Sequence, residues 1–573
     1  MTVCSMIPVA SSESGQVKAA DDRLLRMDIQ LQEMEAKRRR LLKQRNQLSP
    51  ISRLPSNVLS EIFQACTMGA PSSFTAIKLA LRLCRVCAQW RAILVNDPRF
   101  WTVYSFPFVD NNPSFVGELL ARSKTAPITV KIESSIWSHH SPSNIIKEGW
   151  QALYHLSHIR KLSIACGCKD ARNYLFYLKT IPAPLLEEFR LRSTDGNLLR
   201  CPEDLFCFWA APNLHRLELG HCRLLDPTNP ALRSLTSLNL RFCVFQFRDL
   251  LDVLSNTPSL SKLSLANNLP PKPDMTLYLR GPVIHLPRLQ DLTLDDHPIL
   301  MRALMERISF PPSLVFTVRD QIDGRRTLPI NSHILALATA AATTEPLQSL
   351  MVSSTNSGYG TPTSFIVSGS RTETEYSAHH LDTTRAHVYL YFWRRMRYPD
   401  FRWRALTDIC LHLPLEHVQT LTISDCSPVE AWGEVLHRFS SVQTLCLQAL
   451  QSMTEFLELL IPAPVDGLEA QVRSSQPTSQ DLRTMPLPIL SKVKLGLSRG
   501  NMDEEDVDQF LWTLERFLSA RRAKGAGIAE LEVAGLRLNR QDRESLASYV
   551  GTFRFDVQRP KPDQFTPYIS FPW

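Results

Sequence analysis

The apolar positions of this chain change rhythm twice. Over residues 21–48, Leu24, Met27, Leu31, Met34, Leu41 and Leu48 recur at alternating spacings of three and four, and Arg38 and Arg45 take the two remaining seam positions. This is a heptad pattern, and it predicts a helix whose apolar seam the two arginines weaken. The run Lys37-Arg38-Arg39-Arg40 is read as a solvated face of that helix in preference to a nuclear address. Residues 1–20 are small and polar, carry neither period, and are read as disordered. After Ser49-Pro50 breaks the pattern, Val58, Leu59, Ile62, Phe63 and Cys66 mark one face of a short helix, with Pro55 in its first turn, where a missing N–H costs nothing. Past a Gly/Pro/Ser loop at 69–73, Leu79, Leu83, Val86, Cys87, Trp90 and Ile93 mark the stripe of a second helix. That helix must stop near Asn96-Asp97-Pro98, because a residue before proline avoids the helical region. Phe100 and Trp101 then supply two rings to cover the helices.

Beyond residue 150 the rhythm becomes strand-like and repeats. Residues 212–219 read PNLHRLEL, 258–265 PSLSKLSL and 287–294 PRLQDLTL, with related spacings at Leu186, Leu235, Val418, Val442 and Leu490. First anchors at Leu186, Leu214, Leu235, Leu260 and Leu289 are 28, 21, 25 and 29 residues apart, within the range of leucine-rich repeats. In each unit the x-Leu-x-Leu core predicts a short strand whose leucines point inward, and a proline two positions before most anchors sets its register. Cys222, Cys243, Asn268 and Cys426 stand three positions after the last strand leucine or isoleucine. Helix-like stretches at 247–256, 429–439 and 507–518 alternate with the strands, so neighbouring units must stack to bury their leucines. Two stretches lack period and are read as exposed, mobile insertions: 353–385, rich in Ser and Thr, and 464–486. The aromatic and arginine-rich segment 389–403 is read as a strand pair with solvated arginines; base stacking is the lesser reading.

Leu54-Pro55, Val58-Leu59, Ile62-Phe63, Val86-Cys87-x-x-Trp90-Arg91 and Asp97-Pro98-x-Phe100-Trp101 resemble the F-box motif in order and spacing. A heptad-patterned helix ahead of the box is similar to many fungal F-box proteins. The loop between the helices is longer than in the compact form, and Phe100 stands where leucine is common. The resemblance covers about a tenth of the chain. It implies docking on a Skp-type adaptor, which joins the box to a cullin scaffold. The implied contact residues are Leu54, Pro55, Val58, Leu59, Ile62, Phe63, Val86, Trp90 and Trp101, with core packing of the box as the competing role for each.

The fold expected is α+β. An N-terminal helical F-box (49–104) is preceded by a heptad-patterned helix (21–48) and followed by an irregular α/β leucine-rich-repeat solenoid. The solenoid has two parts, 105–320 and 386–550, separated by an interruption at 321–385 and followed by a tail at 551–573. Outward residues of adjacent strands form the expected substrate face: Arg216, Glu218, Asn239, Arg241, Lys262, Ser264, Asp291 and Asp295. Both signs of charge occur there, so no simple acidic or basic ligand is implied.

Composition changes this picture little. The 573 residues carry 64 Lys+Arg against 56 Asp+Glu, an excess too mild for this length to announce a nucleic-acid binder. Thirteen scattered cysteines, with no basic start and apolar run in MTVCSMIPVA, point to buried free thiols in the cytoplasm or nucleus. No membrane span is expected, because no stretch nears the ~18 apolar residues needed. Walker, His-Glu-x-x-His and Gly-x-Ser-x-Gly motifs do not occur. Cys84-x-x-Cys87 lacks a second ligand pair, so neither metal nor cofactor is expected. The expectation is a non-catalytic adaptor that binds a protein substrate. Its alternatives are a non-degradative repeat scaffold and, further off, a nucleic-acid-binding repeat protein.

Overall fold

A computed structural model describes residues 12–556, apart from 70–72, 107–112, 134–148, 203–204, 207–209, 224–225, 269–282, 312, 323–345, 357–361, 373–386, 395–400, 425–428, 449–452, 462–484, 497–503 and 537. The chain divides into two units. The first takes the residues up to Phe189 with Phe206–Ala211, and the second takes Arg190–Leu205 and everything from Pro212 on.

In the first unit, α1 (Ser12–Gln47) leads through a 3-10 turn at Pro50–Arg53 to α2 (Ser56–Met68), α3 (Ser73–Leu83) and α4 (Ala88–Asn96). Then come β1 (Val103–Phe106), α5 (Pro113–Arg122), β2 (Ile128–Glu133), β3 (Ile159–Cys166) and α6 (Cys168–Leu178). The three strands are parallel, with Tyr104, Val130 and Leu162 in one register row and Phe106, Ile132 and Ile164 in the next. All six side chains are buried. The division between the units falls inside β4 (Glu188–Ser193).

The second unit contains one long sheet. Its parallel strands β5 (Arg216–Gly220), β6 (Ser237–Arg241), β7 (Lys262–Ala266), β9 (Asp291–Asp295) and β11 (Val315–Ile322) pair in sequence order, while β8 (Ile284–His285) and β10 (Ile308–Ser309) pair separately. The sheet continues through β14 (Val388–Arg394), β13 (Pro362–Ser370) and β12 (Ser349–Asn356), the last two pairings being antiparallel. It returns to parallel pairing with β15 (Thr420–Ser424), β16 (Thr444–Gln448), β17 (Lys492–Gly496), β18 (Glu530–Ala534) and β19 (Thr552–Asp556). Two apolar rows run along its inner face, beginning Leu217, Leu238, Leu263, Leu292, Phe316 and Leu219, Leu240, Leu265, Leu294, Val318. Each of these side chains is at most 2% exposed. Helices α7 (Phe247–Ser255), α8 (Pro298–Met305), α9 (Phe401–His412), α10 (Glu430–Val435), α11 (Met453–Leu459), α12 (Glu504–Ala523) and α13 (Arg540–Tyr549) fall between strands. Leu250, Leu251, Val253 and Leu254 of α7 are buried, as a helix facing a sheet requires.

A second ladder fixes the turn after each early strand. His221, Phe242 and Asn267 all have left-handed φ near 50°, and their N–H groups donate to Arg241 O, Ala266 O and Asp295 O of the next repeat. The residues one further on close the buried side. Asn268 Oδ1 accepts from Cys243 N at 2.9 Å, Asn268 Nδ2 donates to Leu240 O at 3.0 Å, and Cys243 Sγ donates to Leu219 O at 3.3 Å. Burial pushes the Cys243 thiol up to about 12, so it stays a neutral donor. The Cys/Asn positions legible in the sequence are therefore the hydrogen-bonding rungs between repeats; Cys426 lies outside the described residues.

The structure departs from the sequence reading in six places. Helix α1 begins at Ser12, inside the stretch read as disordered, where Gln16, Lys18, Ala19 and Ala20 are good helix formers even without an apolar stripe. The single helix expected through 79–96 is two, α3 and α4. Cys87 at φ −155° caps α4, its Sγ accepting from Trp90 N at 3.4 Å, while Arg91 Nε donates to Cys84 O at 3.0 Å. Much of the supposed mobile insertion is sheet: Ile366, Val367, Ser368, Gly369 and Ser370 are buried in β13. Gly369 stands on the inner row, and a Cβ there would lie 2.9 Å from Leu347 Cδ1, so its small size serves close packing. The expected strand pair at 389–403 is a strand, β14, followed by a helix, α9. The sheet runs through the expected interruption, so the repeats on either side share one sheet. Finally, Phe553 and Phe555 extend the sheet as β19, where a tail was expected; residues 557–573 and the 464–484 part of the second insertion lie outside the described residues.

Candidate functional site

Helix α2 carries two apolar faces at adjoining positions. Leu59 and Phe63, one turn apart, are buried at 0% and 2% exposure, whereas Val58 and Ile62, each one residue earlier, remain 39% and 38% exposed. The inner pair packs with α4, the Phe63 and Trp90 ring centroids lying 4.7 Å apart. Trp101 is fully buried; its indole N–H donates to Leu94 O at 2.8 Å, and the Arg122 guanidinium lies 4.9 Å from the ring centre. The Tyr104 hydroxyl closes the same floor, within 2.7 Å of Trp101 O and 2.8 Å of Leu119 O.

Asp97 ties these pieces together. Its carboxylate accepts from Ser60 of α2 at 2.6 Å and from the Arg99 side chain at 2.8 Å, and Arg99 also reaches Glu61 at 2.8 Å. Burial raises the Asp97 carboxyl, but hydrogen bonds from Arg99 and Ser60 outweigh this and hold it below its ordinary value.

The nine positions expected to contact an adaptor therefore separate by depth. Leu59, Phe63 and Trp101 are internal to the unit. Leu54 and Trp90 are half-buried. Pro55, Val58 and Ile62 form an exposed strip at helical spacing on the outside of α2, and Val86, 57% exposed, sits in the turn before α4. The sequence reading missed Ile51, 37% exposed just before Leu54, because its 3-10 turn has no apolar period to mark it.

The eight outward array residues lie on β5, β6, β7 and β9 in aligned rows. Arg216, Ser237, Lys262 and Asp291 form one row, Glu218, Asn239, Ser264 and Thr293 the next, and Gly220, Arg241, Ala266 and Asp295 the third. Three of their charges are paired laterally. Lys262 pairs with Asp291, and Glu218 pairs with Arg190 at 3.5 Å. Burial pushes the Asp295 carboxyl up, with Arg319 and Arg241 pulling the other way. The face is mixed in sign and in part paired, so it carries no field of one sign for attracting a polyanion.

Farther along the sheet this face changes. On β15 and β16 the alternation is lost: Thr420, Thr422, Thr444 and Cys446 are buried along with the inward Leu421, Ile423, Leu445 and Leu447. The face reopens at β17 and β18, where Lys492 meets Glu530 at 3.3 Å and Lys494 meets Glu532 at 3.4 Å. The strict alternation of KVKL and ELEV was the available signal for these four residues, which sequence reasoning did not select.

Among the described residues no cluster of three or more His, Cys, Asp or Glu side chains is placed to hold a metal ion. Among them, too, no helix is long and apolar enough to cross a membrane. Cys84 is buried and Cys87 is occupied as a helix cap.

Residues 182–331 match the family model described as "FBD-associated F-box protein At5g56370, LRR repeats". The matched stretch contains β4 through β11, the part of the chain with the most regular register. The match supports an F-box protein with a leucine-rich-repeat region. No curated protein matches the chain.

Proposed function

We propose that this F-box leucine-rich-repeat chain is the substrate receptor of a Skp-cullin-F-box ubiquitin ligase. The observation that carries the reading is the two-sided use of α2. Its Leu59/Phe63 face closes the helical unit's own core, while Pro55, Val58 and Ile62 leave an apolar strip facing solvent. These positions resemble those of the F-box motif, and an apolar strip on a small helical unit is what a stable partner surface requires. The strip, with Leu54 at its edge, is the docking surface for the Skp-type adaptor; Leu59, Phe63 and Trp101 hold it in shape from within.

The open rows of β5–β9 are the substrate face in this reading. Binding there holds a protein beside a ubiquitin-charged enzyme and turns a bimolecular encounter into an effectively intramolecular one. The chain supplies geometry and no nucleophile.

The test is capture of a purified Skp-type adaptor with its cullin by the full chain and by a Leu54→Ala/Pro55→Ala variant, both checked by circular dichroism. Capture by the wild type and its loss in the folded variant is the expected result. If neither folded protein captures the adaptor, the receptor reading fails and a repeat-based binding protein remains.

A further inference from the structure

Helix α1 presents an apolar stripe that stays exposed among the described residues of the unit. Leu24, Met27, Leu31, Met34 and Leu41 are 57–71% exposed, and Leu48, in the turn that closes the helix, is 77% exposed. An open groove on this face is lined by Met34, Lys37, Arg38, Leu41, Leu42 and Arg45. A 36-residue helix gains most of its stability from covering such a face, since isolated helices are marginal in water.

The charges choose the occupant. In the heptad frame, Leu24, Leu31, Arg38 and Arg45 stand at one seam position and Met27, Met34, Leu41 and Leu48 at the other. Asp28 and Glu35 directly follow Met27 and Met34 and flank the seam. In a parallel pairing each seam arginine would oppose itself, with Lys37 alongside Arg38, placing like charges at the contact. An antiparallel pairing has a register without that fault. It sets Leu24 against Leu48 of a second copy, Leu31 against Leu41, Met34 against Arg38 and Met27 against Arg45. Each seam arginine then lies beside an acidic flank: Arg38 beside Glu35, and Arg45 beside Asp28. The two-fold axis repeats both pairs.

We propose that residues 24–48 form an antiparallel coiled coil with the same segment of a second chain, in this register. The two like-charge meetings across the axis, Lys37 with Lys37 and Glu35 with Glu35, lie at the rim, where solvent screens them. Each Glu35 also has its own Arg39 at 3.0 Å. The paired helices would be roughly 37 Å long, a contact at or below the ~1,000 Å² that a stable interface buries, so a micromolar dimer is expected.

Light scattering on the full chain over about 1–100 μM is expected to show mass rising from monomer toward dimer. Asp28→Arg/Glu35→Arg and Arg38→Glu/Arg45→Glu, each checked for helicity by circular dichroism, should weaken the dimer about tenfold or more, and mixing the two variants should restore it. A photo-crosslinking residue at Gln30 should join the peptide containing Gln44 of the other chain. A wild type that stays monomeric throughout, or charge reversals without effect, overturns the proposal. Crosslinking to the peptide around Glu35 overturns the antiparallel register.

Discussion

Replacing Val58 and Ile62 together with alanine separates docking from folding. In the free chain these side chains are 39% and 38% exposed. Complete burial of an aliphatic side chain of this size is worth about 1.5–3 kcal/mol. A partner that covers the remaining four-tenths therefore gains on the order of 0.6–1.2 kcal/mol per side chain. Losing both should weaken adaptor binding by about 1.2–2.4 kcal/mol, roughly 8- to 60-fold in Kd. Leu59→Ala is the control, because Leu59 is 0% exposed and belongs to the core. It should cost about 2–5 kcal/mol of stability and reduce binding only through unfolding. Isothermal titration with purified adaptor measures the first effect, and thermal unfolding followed by circular dichroism measures the second. A folded Val58→Ala/Ile62→Ala chain that binds within about twofold of the wild type would refute the reasoning, since its minimum is about eightfold.

Three further outcomes follow from buried polar contacts. Asn268→Ala should lower stability by about 2–4 kcal/mol in urea unfolding, because it leaves Cys243 N–H and Leu240 C=O unpaired inside the protein; a change below half a kilocalorie would show that the ladder is not needed. Arg521, fully buried with a guanidinium that burial pushes down to about 10, donates to Pro486 O, Leu487 O and Ala526 O. Arg521→Met should therefore destabilise the second unit by about 2–5 kcal/mol despite its similar volume, and an unchanged urea midpoint would count against this. His221, stacked on Phe242 at 4.7 Å, has its pKa lowered first by burial and then by Arg192. With the folded value below the ordinary one, its contribution is full above about pH 6.5 and is lost as pH falls through the folded value. His221→Phe, which keeps the stack, should flatten the fall in stability between about pH 7 and 5; equal pH slopes in both proteins would exclude His221 as the cause.

The sequence determined much of the repeat region because its signals are local. Apolar-x-x-Leu-x-Leu fixes a strand face by period two, and for β5, β7 and β9 the preceding proline fixes where the strand begins, so β5, β6, β7 and β9 lie where the pattern put them. The Cys and Asn positions after each strand were visible too, but not their partners, since a rung joins residues about 25 apart, as from Asn268 to Cys243. Tertiary structure decided what no local pattern encodes. Val58 and Leu59 are adjacent and equally apolar, yet one faces solvent and the other the core, because only the placement of α4 and Trp101 selects the inner side. Burial across the whole β13 segment 366–370 likewise depends on neighbours, since Ser and Gly there read as a loop until β12 and β14 supply hydrogen-bonding edges. Thr420 and Thr444 resemble outward residues in sequence and are buried in the fold. Short-range periodicity is written in the chain, whereas the choice between two solvent-compatible faces is made by whatever packs against them.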